Sequence, residues 1–470
     1  EAFSIRSVKR VHPVPVKGQA RDVPASSPDR RSLASFVQAF GFSISATVLT
    51  IGLGVVSNKI VAVWGGPQLS GLVAVFRQLY GGLSQGLSFG ADVVVVRWVS
   101  SGHKDLSTTV RIASQHVLLA SGLLAVVAIF LSKWIAFGLF GRALGGSYIV
   151  EVAIVVMSSA VGLAIIFITA IFNGLIRVRT VAALKVIAAG TTATAAYLLI
   201  SYWTSLGAAL LVGFGNVAAL IVGGWLLRRV RSTGHSLRQG TVSAVRTLVS
   251  SGSLLAGLNV LATLVVLLVQ AIVTRGYGLE GLALYSASAT IVNTSLLLIM
   301  SPMKTYVLPT LGGLDASPAR SAFVNRALQF TLVLVFPCAL ALMVLRSGII
   351  HGLYSAAFLG ASDLLAIEVL AIIPRAFTWV LAMALLSAGL YRTYAVTEVT
   401  RATIVVLGCV GVVALQLGIR AVVWVFCVAH AVDLLIYLSY SIRQVHLRLY
   451  AASGALAASM MLLVTLSYFS

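Results

Sequence analysis

Residues 71–98 read GLVAVFRQLYGGLSQGLSFGADVVVVRW. Crossing a bilayer as a helix takes roughly 20 predominantly apolar residues, and this stretch is long enough. It nevertheless carries Gln78, Gly81, Gln85, Ser88 and Asp92 at alternating steps of three and four, which places them on one helical face, with Arg77 beside it. Polar groups facing lipid cost free energy, so such a face turns toward protein or water. A helix of this kind needs company, and the rest of the chain supplies it.

Apolar windows of similar length recur from Phe36 almost to Ser470. The 470 residues are 59% hydrophobic and 10% charged, where a soluble chain carries about 25% charged residues. Mean hydropathy is +1.02. A transmembrane barrel would show short alternating segments instead. The expected spans are 33–63, 71–98, 110–131, 148–175, 181–202 and 206–227, then 248–274, 282–307, 328–345, 364–388, 395–417 and 422–441. The stretch 450–469 is long enough for one more, and without a charged face it reads as spanning rather than surface-lying. The expected fold is all-α integral membrane, with 12–13 transmembrane helices in two pseudo-symmetric six-helix bundles around a central cavity. Its parts are a disordered basic tail (1–32), an N-terminal bundle (33–227), a basic linker (228–247), a C-terminal bundle (248–442), and a basic turn with the extra helix (443–470).

The formal charge of +21 concerns topology. Most Lys and Arg fall in the tail and in alternate loops, including Arg228, Arg229, Arg231, Arg238 and Arg246. That is the positive-inside pattern, which places the N-terminus in the cytoplasm and excludes a nucleic-acid partner. Cys338, Cys409 and Cys427 sit in apolar stretches with no disulfide or metal spacing. There is no phosphate-binding Gly-rich loop and no Cys/His metal pattern. The loops are too short for a glycosyltransferase domain. Neither catalysis nor a cofactor is expected.

The two bundles read as a parallel repeat with a period near 215 residues. Lys59 and Arg275 both close an apolar helix ahead of a Gly-containing loop. Asn173-Gly174-Leu175-Ile176-Arg177 recurs as Ala388-Gly389-Leu390-Tyr391-Arg392, and Lys185 and Arg401 then take matching places in the next helix.

Polar stripes recur at equivalent places: Asn259, Thr263, Gln270 and Thr274 on the seventh span, and Tyr285, Ser288, Thr290 and Asn293 on the eighth. Ser, Thr and Gly alone would signify helix packing. Gln78, Gln85, Asp92, Asn259, Gln270 and Asn293 within such stripes point to a hydrated cavity. Four cations in or beside the membrane matter most: Lys59, Arg77, Arg275 and Arg375. An intramembrane Arg costs at least ~2.5 kcal/mol even on the lenient insertion scale, so it requires a carboxylate, water or an anionic ligand. Glu368 lies seven residues before Arg375 on the same face, which leaves an ion-pair network as an alternative. Lys59 and Arg275 could instead snorkel. Acids near these sites are few, chiefly Asp92, Glu368 and Glu398, expected as ion-pair partners or ion-coupling groups. The surplus positive charge suits an anion such as a pyrophosphate.

These residues carry a family resemblance over about residues 32–449. The markers are Asn58-Lys59-Ile60-Val61-Ala62-Val63, Val75-Phe76-Arg77-Gln78-Leu79, Leu139-Phe140-Gly141, Tyr306-Val307-Leu308-Pro309-Thr310-Leu311, and Tyr391-Arg392 followed by Glu398-Val399. The chain resembles lipid-linked oligosaccharide flippases of the multidrug/oligosaccharidyl-lipid/polysaccharide exporter superfamily, in particular the O-antigen and enterobacterial-common-antigen translocases. The resemblance implies movement of undecaprenyl-pyrophosphate-linked glycan across a bacterial inner membrane by alternating access. It implies contact of Lys59, Arg77, Arg275 and Arg375 with pyrophosphate or acidic sugar. H+ or Na+ is the expected coupling ion, and membrane lipid and polysaccharide assembly proteins the expected partners. The alternatives are a multidrug exporter of the same superfamily and a membrane-embedded glycan polymerase or ligase.

Overall fold

The computed structural model describes residues 30–88, 90–100, 106–231, 241–312 and 318–469. Most of the expected basic tail and the middle of the basic linker lie outside those residues. The described chain is helical throughout: α1 (Arg30–Trp64), α2 (Gly66–Ser88), α3 (Ala91–Ser100), α4 (Leu106–Phe130), α5 (Ser132–Gly145), α6 (Ile149–Gly174), α7 (Val178–Arg231), α8 (Thr241–Gly312), α9 (Pro318–Val344), α10 (Arg346–Leu353), α11 (Ala361–Leu370), α12 (Ile372–Ser387), α13 (Tyr391–Ala414), α14 (Ile419–Gln444) and α15 (Ala451–Phe469).

Among the described residues, nine helical runs are long and apolar enough to cross a membrane, ten when the bent pair α11 and α12 counts as one. Three of these runs hold more than one segment, the first being α5 with α6 over Ser132–Gly174. α7 leaves helical geometry at Thr204 (φ 40°, ψ −109°) and α8 at Gly278 (φ 73°, ψ −178°), both where the sequence places a loop between spans. In α7 the arms fold back closely. A Cβ on Gly215 would lie 2.1 Å from the Ala188 carbonyl oxygen, so only glycine permits that approach. α2 is 23 residues long yet falls outside the apolar set, because its polar stripe dilutes it.

Three features depart from the expected elements. The second span is broken near Gly90 (φ 67°) into α2 and α3. The connections after the third and ninth spans are not plain loops but the short helices α5 and α10. The tenth span is two helices bent by 43° between Leu370 and Ile372. Pro374 supplies the cause of that bend, since it has no N–H for the carbonyl one turn earlier.

Helices α1, α2, α4 and α6 pack with α6 and α7, while α9, α11, α12, α13 and α14 pack with one another and with α8. The seam between the halves is α2 against the first arm of α8. Gly71 meets Leu279, Gly82 meets Thr263 and Gly86 meets Val260, which makes the two helices antiparallel along their length. Lipid tails are as apolar as Leu, so close backbone approach of this kind, rather than hydrophobic expulsion, holds such helices together.

α15 is fastened to α9 by Asn325, 1% exposed. Its Nδ2 donates to the carbonyls of Ser321 and Arg448, each at 2.8 Å. Its Oδ1 accepts from the Tyr450 N–H (2.8 Å) and the Ser453 hydroxyl (2.9 Å). All four hydrogen-bonding positions of the amide are used.

Candidate functional site

A cavity of about 390 Å³ lies between the halves. Its walls come from α1, α2, both arms of α8, and α11 to α14, with Tyr354 and Phe358 near the end remote from the start of α1, the distal end. The bend between α11 and α12 places Glu368 before the break and Arg375 after it, and both line the cavity.

Each half contributes an arginine held by an asparagine. Arg77 on α2 donates through Nη1 to Asn58 Oδ1 on α1. Arg375 on α12 donates through Nη2 to Asn293 Oδ1 on α8 at 2.5 Å. A third cavity cation, Arg401, is paired with Glu398, and its Nε lies 3.8 Å from Asp433 Oδ2. Glu368, 7% exposed, accepts from the Ser288 hydroxyl at 3.5 Å. Within 4.0 Å the ion pairs among the described residues are Arg401–Glu398, Arg401–Asp433 and Arg420–Asp363. The ion pair between Glu368 and Arg375 that the sequence left open is therefore not formed at that distance. Arg77 and Arg375 have no carboxylate within 4.0 Å, whereas Arg401 has two, and Glu368 acts on Arg375 across the chamber.

Of the residues singled out from sequence, Arg77, Arg375, Gln78, Gln270, Asn293 and Glu368 come together at the cavity. Lys59 and Arg275 do not. Lys59 Nζ donates to the Gly352 carbonyl at 2.6 Å, and Arg275 Nη2 donates to the carbonyls of Phe137, at 3.1 Å, and Gly138. Gln85, Asp92 and Asn259 are not among the lining residues either. Gln85 is exposed. Asp92 sits in the first turn of α3, where a carboxylate complements the helix dipole. Glu398 faces Arg401. His116, away from the cavity, has Nε2 2.7 Å from the Leu87 carbonyl and its ring in T-shaped contact with Phe167.

Asn58, Tyr354, Arg401 and His430 line the cavity without having been singled out for it. Asn58 precedes Lys59, and Arg401 had surfaced only as a mark of the repeat. Their role depends on which neighbouring helix each faces, which spacing within one helix does not encode.

A smaller, largely apolar pocket of about 180 Å³ adjoins the cavity between α1 and the second arm of α8. Ile51, Val55, Ile291 and Leu353 line it, and it shares Asn58, Thr290 and Tyr354 with the main cavity. Among the described residues no group of three or more His, Cys, Asp or Glu is placed to hold a metal ion.

A polar, cation-bearing chamber between two helical halves defines a membrane transporter rather than an enzyme. A family model described as polysaccharide biosynthesis protein matches residues 66–363. The chain belongs to that family. The chain is 26% identical to the lipid III flippase of Escherichia coli (strain K12) over 79% of its own length and 89% of the relative's. The lipid III flippase of Shigella flexneri matches to the same extent. The fold matches the lipid II flippase MurJ in an inward closed conformation (TM-score 0.70, 14% identity, 92% of each chain). It also matches an inward-facing multidrug-resistance MATE transporter (TM-score 0.68, 12% identity, 88% of this chain and 96% of that one). The protein is thus a multi-pass membrane transporter related to lipid-linked oligosaccharide flippases.

Proposed function

We propose that this protein moves a pyrophosphate-linked oligosaccharide on a polyprenyl carrier from the cytoplasmic to the outer leaflet of a bacterial inner membrane, with its N-terminus in the cytoplasm. The observation that carries the reading is the pair Arg77–Asn58 and Arg375–Asn293. Two guanidiniums are oriented by neutral acceptors and stay available to an anion. The adjoining apolar pocket supports an amphiphilic cargo. The anionic head would occupy the chamber while the first isoprene units leave through the gap between α1 and α8. The two-bundle division, 33–227 and 248–442, supplies the two bodies that alternating access requires. A ligand shifts such a two-state equilibrium only by binding one state better, and two arginines on opposite halves are placed to do so.

The test is Arg77→Ala and Arg375→Ala, singly and together, with membrane insertion verified. Each single variant is expected to lower surface-glycan assembly by about tenfold, the weight of one charge-assisted hydrogen bond. Lipid-linked precursor should collect in the cytoplasmic leaflet. Normal assembly in the double variant would overturn the reading. Glu368 gives the multidrug alternative its one point of support, since a buried acid suits a cationic drug. Loss of drug resistance in Glu368→Gln with intact glycan export would favour that alternative.

A further inference from the structure

Lys59 and Arg275 act away from the cavity, and their contacts are related by the repeat. Lys59, six residues from the start of the α1–α2 turn, reaches from the N-terminal half to Gly352, in the last turn of α10 in the C-terminal half. Arg275, just before the break in α8, reaches from the C-terminal half to Phe137 and Gly138 of α5 in the N-terminal half. The two cations are about 215 positions apart, and so are the two acceptor sites. Each acceptor lies where a short helix stops: α10 ends at Leu353, and α5 breaks at Gly141 (φ 76°). Carbonyls in a last turn have no intrahelical donor and carry the negative end of the helix dipole, so a cation satisfies both. Two further contacts close the same end of the seam. Gln68 Nε2 donates to Glu280 Oε1 at 3.1 Å, and Gly71 lies against the Leu279 carbonyl.

We propose that Lys59 and Arg275 are a matched pair of latches, each capping a short helix of the opposite half and holding the distal mouth of the cavity shut. Both bonds are exposed, so each contributes little alone. That suits a closure that must release in every transport cycle. The inference rests on the two-state reading above but not on the identity of the cargo.

The experiment uses the full chain with Cys338, Cys409 and Cys427 replaced by Ala. In one background, Gln68→Cys and Glu280→Cys report the closed seam by disulfide cross-linking. In another, cavity-lining Ala74→Cys reports opening by reaction with a membrane-impermeant maleimide, in intact cells and in inverted vesicles. Lys59→Ala with Arg275→Ala should slow cross-linking several-fold and raise labelling from the distal face several-fold. Lys59→Arg with Arg275→Lys should behave as the parent. Unchanged cross-linking and labelling in the Ala pair would overturn the proposal, as would an Arg/Lys exchange that matches the Ala pair. If the Ala pair fails to insert, Lys59→Met and Arg275→Met, each removing one latch, carry the same comparison. Neither readout involves glycan, so a wrong cargo assignment leaves the result intact.

Discussion

An amide and a carboxylate hold an arginine in similar ways but leave different fields behind. Asn58 and Asn293 orient Arg77 and Arg375 and cancel no charge, whereas Glu398 and Asp433 hold Arg401 and offset its charge. Asn293→Asp is therefore expected to impair glycan export about as much as Arg375→Ala, although every arginine is still present. Asn293→Ala, which loosens the side chain but leaves its charge, should be milder, by several-fold. Assembly of surface glycan in cells carrying each variant checks the order. This distinction also marks the limit of what the sequence conveys about the site. Arg77 and Arg375 stand out because a cation inside an apolar run is costly wherever it faces. Whether the charge survives depends on an acceptor brought in by another helix, and neither Asn58 nor Arg401 announces that within its own span.

At the scale of single elements, hydropathy conveyed most of the helices because the bilayer fixes their length. What it did not convey is local. α5 and α10 are too short to register as spans, and the break near Gly90 that parts α2 from α3 leaves no gap in the run that the sequence reads as one span. The α2–α8 seam is likewise set by a small residue. A Cβ at position 71 would lie 2.3 Å from the Leu279 oxygen. Gly71→Ala should cost about 1–3 kcal/mol by overpacking, read as a lower unfolding temperature of the purified protein. Asn325→Ala strands several buried polar groups between α9 and α15 and should cost about 1–3 kcal/mol or more. It should also speed proteolysis at the start of α15, which limited digestion of membrane vesicles would detect.

Over the whole molecule, the repeat shows in how the halves are built. A short helix follows the third span and the ninth, and each half gives the chamber one arginine held by an asparagine. α15 breaks that symmetry. Its start is bound beside residues 321–325 near the beginning of α9, and its 19 residues run along α9 and α11, so its two ends should lie on opposite faces of the membrane. Arg448→Cys and Ser467→Cys, in a chain without the native cysteines, should react with an impermeant thiol reagent from opposite sides. Reaction of both from one side would make α15 a surface helix.

The chamber's volume of about 390 Å³ lies toward the low end of the range for small-molecule pockets, roughly 300–1,000 Å³. On that scale it accommodates a pyrophosphate and a sugar or two, not a whole oligosaccharide. The grip would then fall on the one portion that all cargoes of this chemistry share, and the distal sugars would pass through the mouth still hydrated. Such a carrier measures its cargo at one end and is indifferent to how far the other end extends. Glycans with the same linkage but different lengths should compete for it on nearly equal terms.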